Sequence, residues 1–384
     1  MITAKEVAYE LFNGFTKAGM LNTSAKPNMA TGISINPASN SDSTSKWIWE
    51  NYDFMNSSVQ AVGYEEYQDD DERKGSEAVY VYLSNGSDRS LQKLEREKDG
   101  IVIHVRKLSP IIVKPKASIN MASTSKLFIG ANSEIACGSS CSPANVSYSG
   151  TIGALIRRRN DDNLYILSNN HVIGGCNHAP RNTIIMSPAP SDARIGIAPR
   201  EIGRLEFIFP LTSGCPDFVE PCAMDAALAK VTNPDIITSW QGDFIDGYDT
   251  PSRILPPKTG MLVKKFGRTT GLTRGVITTC AAGHMPLLYH ADGFNALVYF
   301  SNFWFIQNYG NDLFAHPGDS GSLVVTNDAQ AAVGLLFSVA KQGACMLPLI
   351  PVLTALGGVG LVSGHGLSVT AGKSSRTTNS PQLS

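Results

Sequence analysis

Pro317-Gly318-Asp319-Ser320-Gly321-Ser322-Leu323-Val324-Val325 sets one serine between glycines and directly ahead of an apolar run. Glycine permits backbone torsions that a Cβ opposes, and a run rich in β-branched residues gives the turn a strand to hang on. In such a turn the N–H groups of Gly318 and Ser320 can converge on one point. That is what an oxyanion hole requires, and losing one such donor costs about 10²–10³ in turnover. A hairpin turn without chemistry is the plainer alternative for the same string. The nucleophile elbow of α/β-hydrolases is excluded, because position 322 is Ser rather than the closing Gly.

A serine hydroxyl is a poor nucleophile until a neighbouring base takes its proton. The chain has 7 histidines. His104 falls in the N-terminal region, His365 in a polar tail, and His178, His284 and His290 in loop-like contexts. His316 shares the loop of Ser320 and is too local to aim its ring at the hydroxyl. His171 differs, because the apolar run Leu164-Tyr165-Ile166-Leu167-Ser168-Asn169-Asn170-His171-Val172 delivers it to the end of a strand. The base in turn needs an orienting carboxylate on its other ring nitrogen. Asp225 opens the apolar run Ala226-Ala227-Leu228-Ala229-Lys230-Val231, where a solvated charge is out of place. Asp161, Asp217 and Asp235 sit among turn formers and read as surface acids.

Around these three residues, short apolar runs broken by Gly and Pro continue for most of the chain beyond residue 129, a texture that predicts an all-β fold. Candidate strands fall at 151–158, 164–167, 202–207, 226–231, 261–266, 275–279, 297–303, 322–326 and 332–337. Two successive β-barrels account for them, the first over about 129–245 and the second over about 258–362. Upstream, Val7, Ala8, Leu11, Phe12 and Phe15 recur at helical spacing and predict one amphipathic helix stopping near Gly19. Residues 22–46 are rich in Ser, Asn, Thr, Pro and Gly and predict a flexible segment. Strand-like runs at 59–64, 78–83 and 101–105, with a helix from Ser90, complete a small α+β domain over 1–115. Residues 116–128 read as a linker, and 363–384 as a disordered tail.

Bulk properties bound the function. With 32 Lys+Arg against 33 Asp+Glu the formal net charge is -1, so no long-range field draws the chain to nucleic acid or anionic lipid. No apolar run has the length of a membrane span, and the first residues lack the basic and apolar blocks of a secretory signal. A cytoplasmic protein without membrane or nucleic-acid partners is expected. The 7 cysteines match neither a paired zinc pattern nor a dense disulfide framework. They read as reduced, buried thiols, with a Cys215–Cys222 bridge and a metal at Cys176-Asn177-His178 as lesser alternatives. No metal and no cofactor is expected.

The order His171, Asp225, Ser320 is that of the chymotrypsin-type triad. The segments 167–172, 225–228 and 318–325 look like trypsin-like serine peptidases. Phe266-Gly267-Arg268-Thr269-Thr270-Gly271-Leu272-Thr273-Arg274-Gly275 resembles a turn in an intracellular bacterial and plant-type branch of that family. The resemblance covers about residues 130–362. It implies a double Greek-key β-barrel preceded by the small α+β domain, with His171 and Asp225 from the first barrel and Ser320 from the second. It implies a serine endopeptidase acting through an acyl-enzyme, with Gly318 and Ser320 as the oxyanion hole and a protein or peptide as substrate. Carried over to the substrate pocket are Phe314, Ala315, His316, Phe337, Ser338 and Val339. With no acid among them, small or medium apolar side chains are the expected preference.

Two departures stand out. Gly150-Thr151-Ile152-Gly153 does not match the activated terminus that pairs with the acid before the nucleophile in secreted relatives, so no such insertion is expected and the partner of Asp319 is open. The N-terminal domain reads first as a module recruiting a protein partner, with a stabilising appendage and an inhibitory pro-segment as alternatives. A protease-fold scaffold without catalysis, and an esterase using the same site, are the rival functions.

Overall fold

The computed structural model describes residues 2–21, 43–50, 59–84, 96–109, 111–113, 116–117, 127–129, 133–194, 197–214, 220–222, 224–310, 312–358 and 360–367. The helix expected from Ser90 lies outside them, as does Cys215.

Twelve strands carry the site, numbered here along the two barrels. The first set is β1 (Ser140–Pro143), β2 (Ala154–Arg157), β3 (Leu164–Ser168), β4 (Ile184–Ser187), β5 (Arg200–Ile208) and β6 (Ala227–Val231). They pair antiparallel in the order β2-β3-β6-β5-β4-β1. The second set is β7 (Leu262–Gly267), β8 (Gly271–Ala281), β9 (Trp304–Asn308), β10 (Leu323–Thr326), β11 (Ala332–Ala340) and β12 (Gly343–Pro348). Its order, β8-β9-β12-β11-β10-β7, is the first order repeated, and β7 also pairs β8, so this barrel closes on itself. The expected mostly-β architecture of two successive barrels is therefore present.

The alternation of side chains across a strand explains why these runs are apolar at nearly every position. In β3, Leu164 and Ile166 join a buried cluster inside the first barrel, while Tyr165 and Leu167 join the larger cluster outside it. In β6, Ala227, Ala229 and Val231 point inward and Leu228 outward in the same way. Both strands are buried on two faces, which puts the chain ends that follow or precede them at the seam between barrels.

The N-terminal region has the expected helix, Ala4–Lys17, with Thr3 and Glu6 forming a reciprocal capping box and Val7, Ala8, Leu11, Phe12 and Phe15 buried. A second helix, Ser43–Glu50, begins inside the stretch read as flexible, because Trp47 and Ile48 have an apolar face to bury and Trp47 meets Phe15 edge-on. The strands Val59–Tyr64, Val79–Leu83 and Ile101–Lys107 form as expected. Val59–Tyr64 pairs both with Val79–Leu83 and with β8, where Gly63 faces Ala281. One buried cluster runs from Leu11 and Phe15 through Val79 and Val81 to Phe300 and Leu335, so the small unit and the second barrel share a core. The polar tail also begins later than its composition suggests. Asp249 accepts hydrogen bonds from Ser363 Oγ and Gly364 N, and the His365 carbonyl accepts Thr238 Oγ1 at 2.7 Å.

Candidate active site

His171 follows β3 in a single wide helical turn, Asn170–Gly174, closed by Gly175 at φ 57°. The register Ser168–Ala227 lays the end of β3 beside the start of β6, which brings Asp225 to the imidazole. Both side chains are fully buried. Asn169 Nδ2 donates to the Asp225 carbonyl at 2.6 Å, His171 N donates to Asp225 Oδ1 at 3.1 Å, and His171 Nδ1 forms a short hydrogen bond with Asp225 Oδ2. A carboxylate facing Nδ1 keeps the proton there and leaves Nε2 as the basic nitrogen. His171 Nε2 is buried and has no hydrogen-bond partner among the described residues.

Ser320 lies in the turn before β10 and is 4% exposed. No hydrogen bond joins its hydroxyl to His171 Nε2. The backbone nevertheless ties the two loops together. Thr151 N donates to the Ser320 carbonyl at 2.9 Å while the Thr151 carbonyl accepts Ser168 Oγ at 2.8 Å, which links the serine to the end of the strand that carries His171. Gly321, at φ 94°, has room only for hydrogen, since a Cβ there would overlap Thr151 O and Ser168 Oγ.

Two peptide planes in this turn are pinned. The Pro317 carbonyl accepts Thr269 Oγ1 at 3.0 Å, and the Asp319 carbonyl accepts Ser322 N at 3.0 Å and Ser322 Oγ at 2.5 Å. In a planar trans peptide the N–H points opposite to the C=O. The N–H groups of Gly318 and Ser320 thus point away from these two carbonyls.

Asp319, left without a partner by the sequence, is fully buried and heavily bonded. Lys265 Nζ, also fully buried, stands 3.3 Å from Oδ2. Oδ1 accepts Thr269 N at 2.8 Å and Thr270 N at 3.1 Å, and Oδ2 accepts Thr270 Oγ1 at 2.7 Å and His316 N at 2.9 Å. Burial alone raises the carboxyl's pKa, but the Lys265 charge and then these hydrogen bonds more than offset it and hold the group below its usual range. The 266–275 turn is the cradle for this acid. A Cβ at Gly267 would stand 2.5 Å from Asp319 Oδ1, and Arg268 locks the turn to the first barrel through an ion pair with Asp192.

The pocket residues divide. Ala315 is 4% exposed and His316 is open to solvent. Ser338 is buried with an Oγ that has no partner among the described residues, and Val339 is half-buried. Phe314 and Phe337 have no exposed surface, so neither ring lines an open cleft as expected. The Phe337 ring packs on Phe300 and Phe303 at 5.3 and 5.8 Å, because alternation along β11 turns it into the shared core. The six described cysteines are free and buried.

Sequence reasoning missed Tyr289. It lies on the strand Met285–Ala291, and its hydroxyl donates to Asp225 Oδ2 at 2.8 Å. Burial, then the Asp225 charge and the bond to it, push the phenol well above its ordinary range. The available signal was a tyrosine in register with the buried Met285 and Leu287, a position where the hydroxyl must find a partner.

No family model matches this chain, and no curated protein matches it. Solved proteases do resemble it. Thermobifida fusca protease A is 18% identical over 60% of this chain and 100% of its own, with a TM-score of 0.39. Nocardiopsis protease is 16% identical over 59% and 98%, with a TM-score of 0.40. Cellulomonas bogoriensis chymotrypsin is 14% identical over 59% and 97%, with a TM-score of 0.38. Among the described residues, no helix is long and apolar enough to cross a membrane.

Proposed function

We propose that this chain is a serine endopeptidase in which His171, Asp225 and Ser320 form a catalytic triad. The observation that supports the reading is the His171 ring itself: one nitrogen bonded to a buried carboxylate, the other buried and unpartnered among the described residues. A buried polar atom left without a partner is costly, and an acceptor in that position suits a proton that arrives only during reaction. His171 Nε2 takes the Ser320 proton as the hydroxyl attacks a peptide carbonyl. Asp225 fixes the tautomer and stabilises the imidazolium, and the N–H groups of Gly318 and Ser320 receive the oxyanion. The same nitrogen then returns the proton to the leaving amine, and water repeats the sequence on the acyl-enzyme.

The substrate is a protein or peptide, and the six buried free thiols support a reducing, cytoplasmic setting. The unmade Ser320–His171 hydrogen bond is what favours a catalytically silent scaffold instead; such bonds often tighten only when substrate binds. A fluorophosphonate probe separates the two. Covalent labelling at Ser320, absent in Ser320→Ala and His171→Ala, is the expected result, and an unlabelled wild-type protein sinks the hydrolase reading. Comparing turnover of matched peptide and ester substrates then distinguishes peptidase from esterase.

A further inference from the structure

Asp225 belongs to the first barrel, yet one of its side-chain partners reaches it from beyond that barrel. The strands Met285–Ala291 and Phe294–Phe300 form a hairpin between β8 and β9, with Tyr289 facing Ala296 in its register. The Tyr289 ring is held by Phe300, stacked at 5.9 Å and 17°, and by Phe294, edge-on at 6.0 Å. It also stands edge-on to the His171 imidazole, 6.0 Å between centroids. Packed this way, with no exposed surface, the phenol has little freedom, and its hydroxyl ends 2.8 Å from Asp225 Oδ2, the same oxygen that holds His171 Nδ1.

We propose that Tyr289 is a positioning residue that sets the basicity of His171 by sharing the Asp225 oxygen that holds its ring. This rests on the triad reading above and extends it. A donor on a carboxylate oxygen draws off part of the charge that would otherwise stabilise the imidazolium. With the tyrosine in place, Asp225 Oδ2 shares its charge between two donors instead of giving all of it to His171 Nδ1. The bond also fixes the acid against rotation, because Oδ1 is already held by His171 N.

Among the described residues, other titratable groups also lie around the pair. The Asp225 charge acts on Cys176, Cys176 and Cys222 act on Tyr289, and Tyr148 lies near Cys176 and Asp292. Burial pushes the Cys176 thiol and the Tyr148 phenol up, so both remain neutral where an imidazole titrates. His178 meets Phe294 edge-on, the ring that also contacts Tyr289.

Tyr289→Phe removes the hydroxyl and keeps the ring. In the full chain, nitrogen NMR of the His171 imidazole should show the titration midpoint moving up by about 0.5–1 pH unit. The acid limb of fluorophosphonate labelling at Ser320 should move by the same amount. A second measurement replaces the residue with 3-fluorotyrosine, a stronger donor, and should move the midpoint down. A tyrosine that only fills space would lower the melting temperature and leave both midpoints where they were; that outcome overturns the proposal. The two readings fail separately. Absent labelling in the wild type with the NMR shift intact removes the hydrolase and keeps the coupling, whereas normal labelling with unmoved midpoints does the reverse.

Discussion

The two barrels repeat one strand order but hold the groups of the proposed triad by different means. The first barrel supplies His171 and Asp225, and what fixes them is a web of bonds around one aspartate: His171 Nδ1, His171 N and the Tyr289 hydroxyl reach its carboxylate, and the Asn169 amide reaches its backbone carbonyl. The second barrel supplies Ser320, and what fixes its turn is backbone: pinned carbonyls, glycines at positive φ, and a buried acid that gathers the amides of three residues. The difference follows from the chemistry. A base is defined by which nitrogen bears the proton, which a side-chain bond can set; an oxyanion site is defined by the direction of N–H groups, which only the backbone can set.

Breaking the first arrangement should have the largest effect. Asp225→Asn keeps the shape but presents the wrong hydrogen-bonding partner to Nδ1, and peptide turnover should fall by about 10⁴. Steady-state kinetics check this, with little change expected in the melting curve.

Lys265→Met attacks the second barrel through its acid rather than its nucleophile. An unpaired buried Asp319 should cost about 3–5 kcal/mol, read from urea denaturation. Because the N-terminal unit shares a core with this barrel, both should unfold in one transition. Adding Asp319→Asn to Lys265→Met should recover part of the loss, which separates the charge penalty from lost packing.

Gly318→Ala tests the backbone claim directly. At φ 101° an L side chain is strained, and its Cβ would stand 2.5 Å from Thr269 Oγ1, the group that pins the Pro317 carbonyl. Labelling of Ser320 should slow about 10²–10³-fold, while NMR should find the His171–Asp225 bond unchanged.

Acid should tell the barrels apart as well. Asp319 titrates below the unfolded value of about 3.9, so its stabilising contribution is complete above that pH and is lost as pH falls through the folded value. Urea midpoints measured down this range should fall steeply for the wild type and less so for Lys265→Met. The smallest effect lies outside both barrels: Thr3→Ala removes the N-terminal cap at a cost of about 1 kcal/mol, with no change in labelling rate.

Much of this is legible in the sequence. His171 and Asp225 were readable because each interrupts or ends an apolar run at a point where a polar group must have a purpose. Strands β3, β6 and β10 were readable as short apolar runs with clear bounds. Others were not: β1 is Ser-Cys-Ser-Pro, β12 runs Gly-Ala-Cys-Met-Leu-Pro, and Met285–Ala291 contains Pro286, so composition argues against a strand in each. They form because neighbouring ladders and a shared core recruit them. Missing that third strand concealed Tyr289.

By itself the sequence determined which residue types could do chemistry, and the β-rich texture that spaces them, since both depend on local pattern. Only the tertiary structure decided who their partners are. Lys265 reaching Asp319, Tyr289 reaching Asp225, and Phe337 turning into the core all depend on which strands lie side by side. Such contacts join residues far apart in the chain, and no local periodicity encodes them.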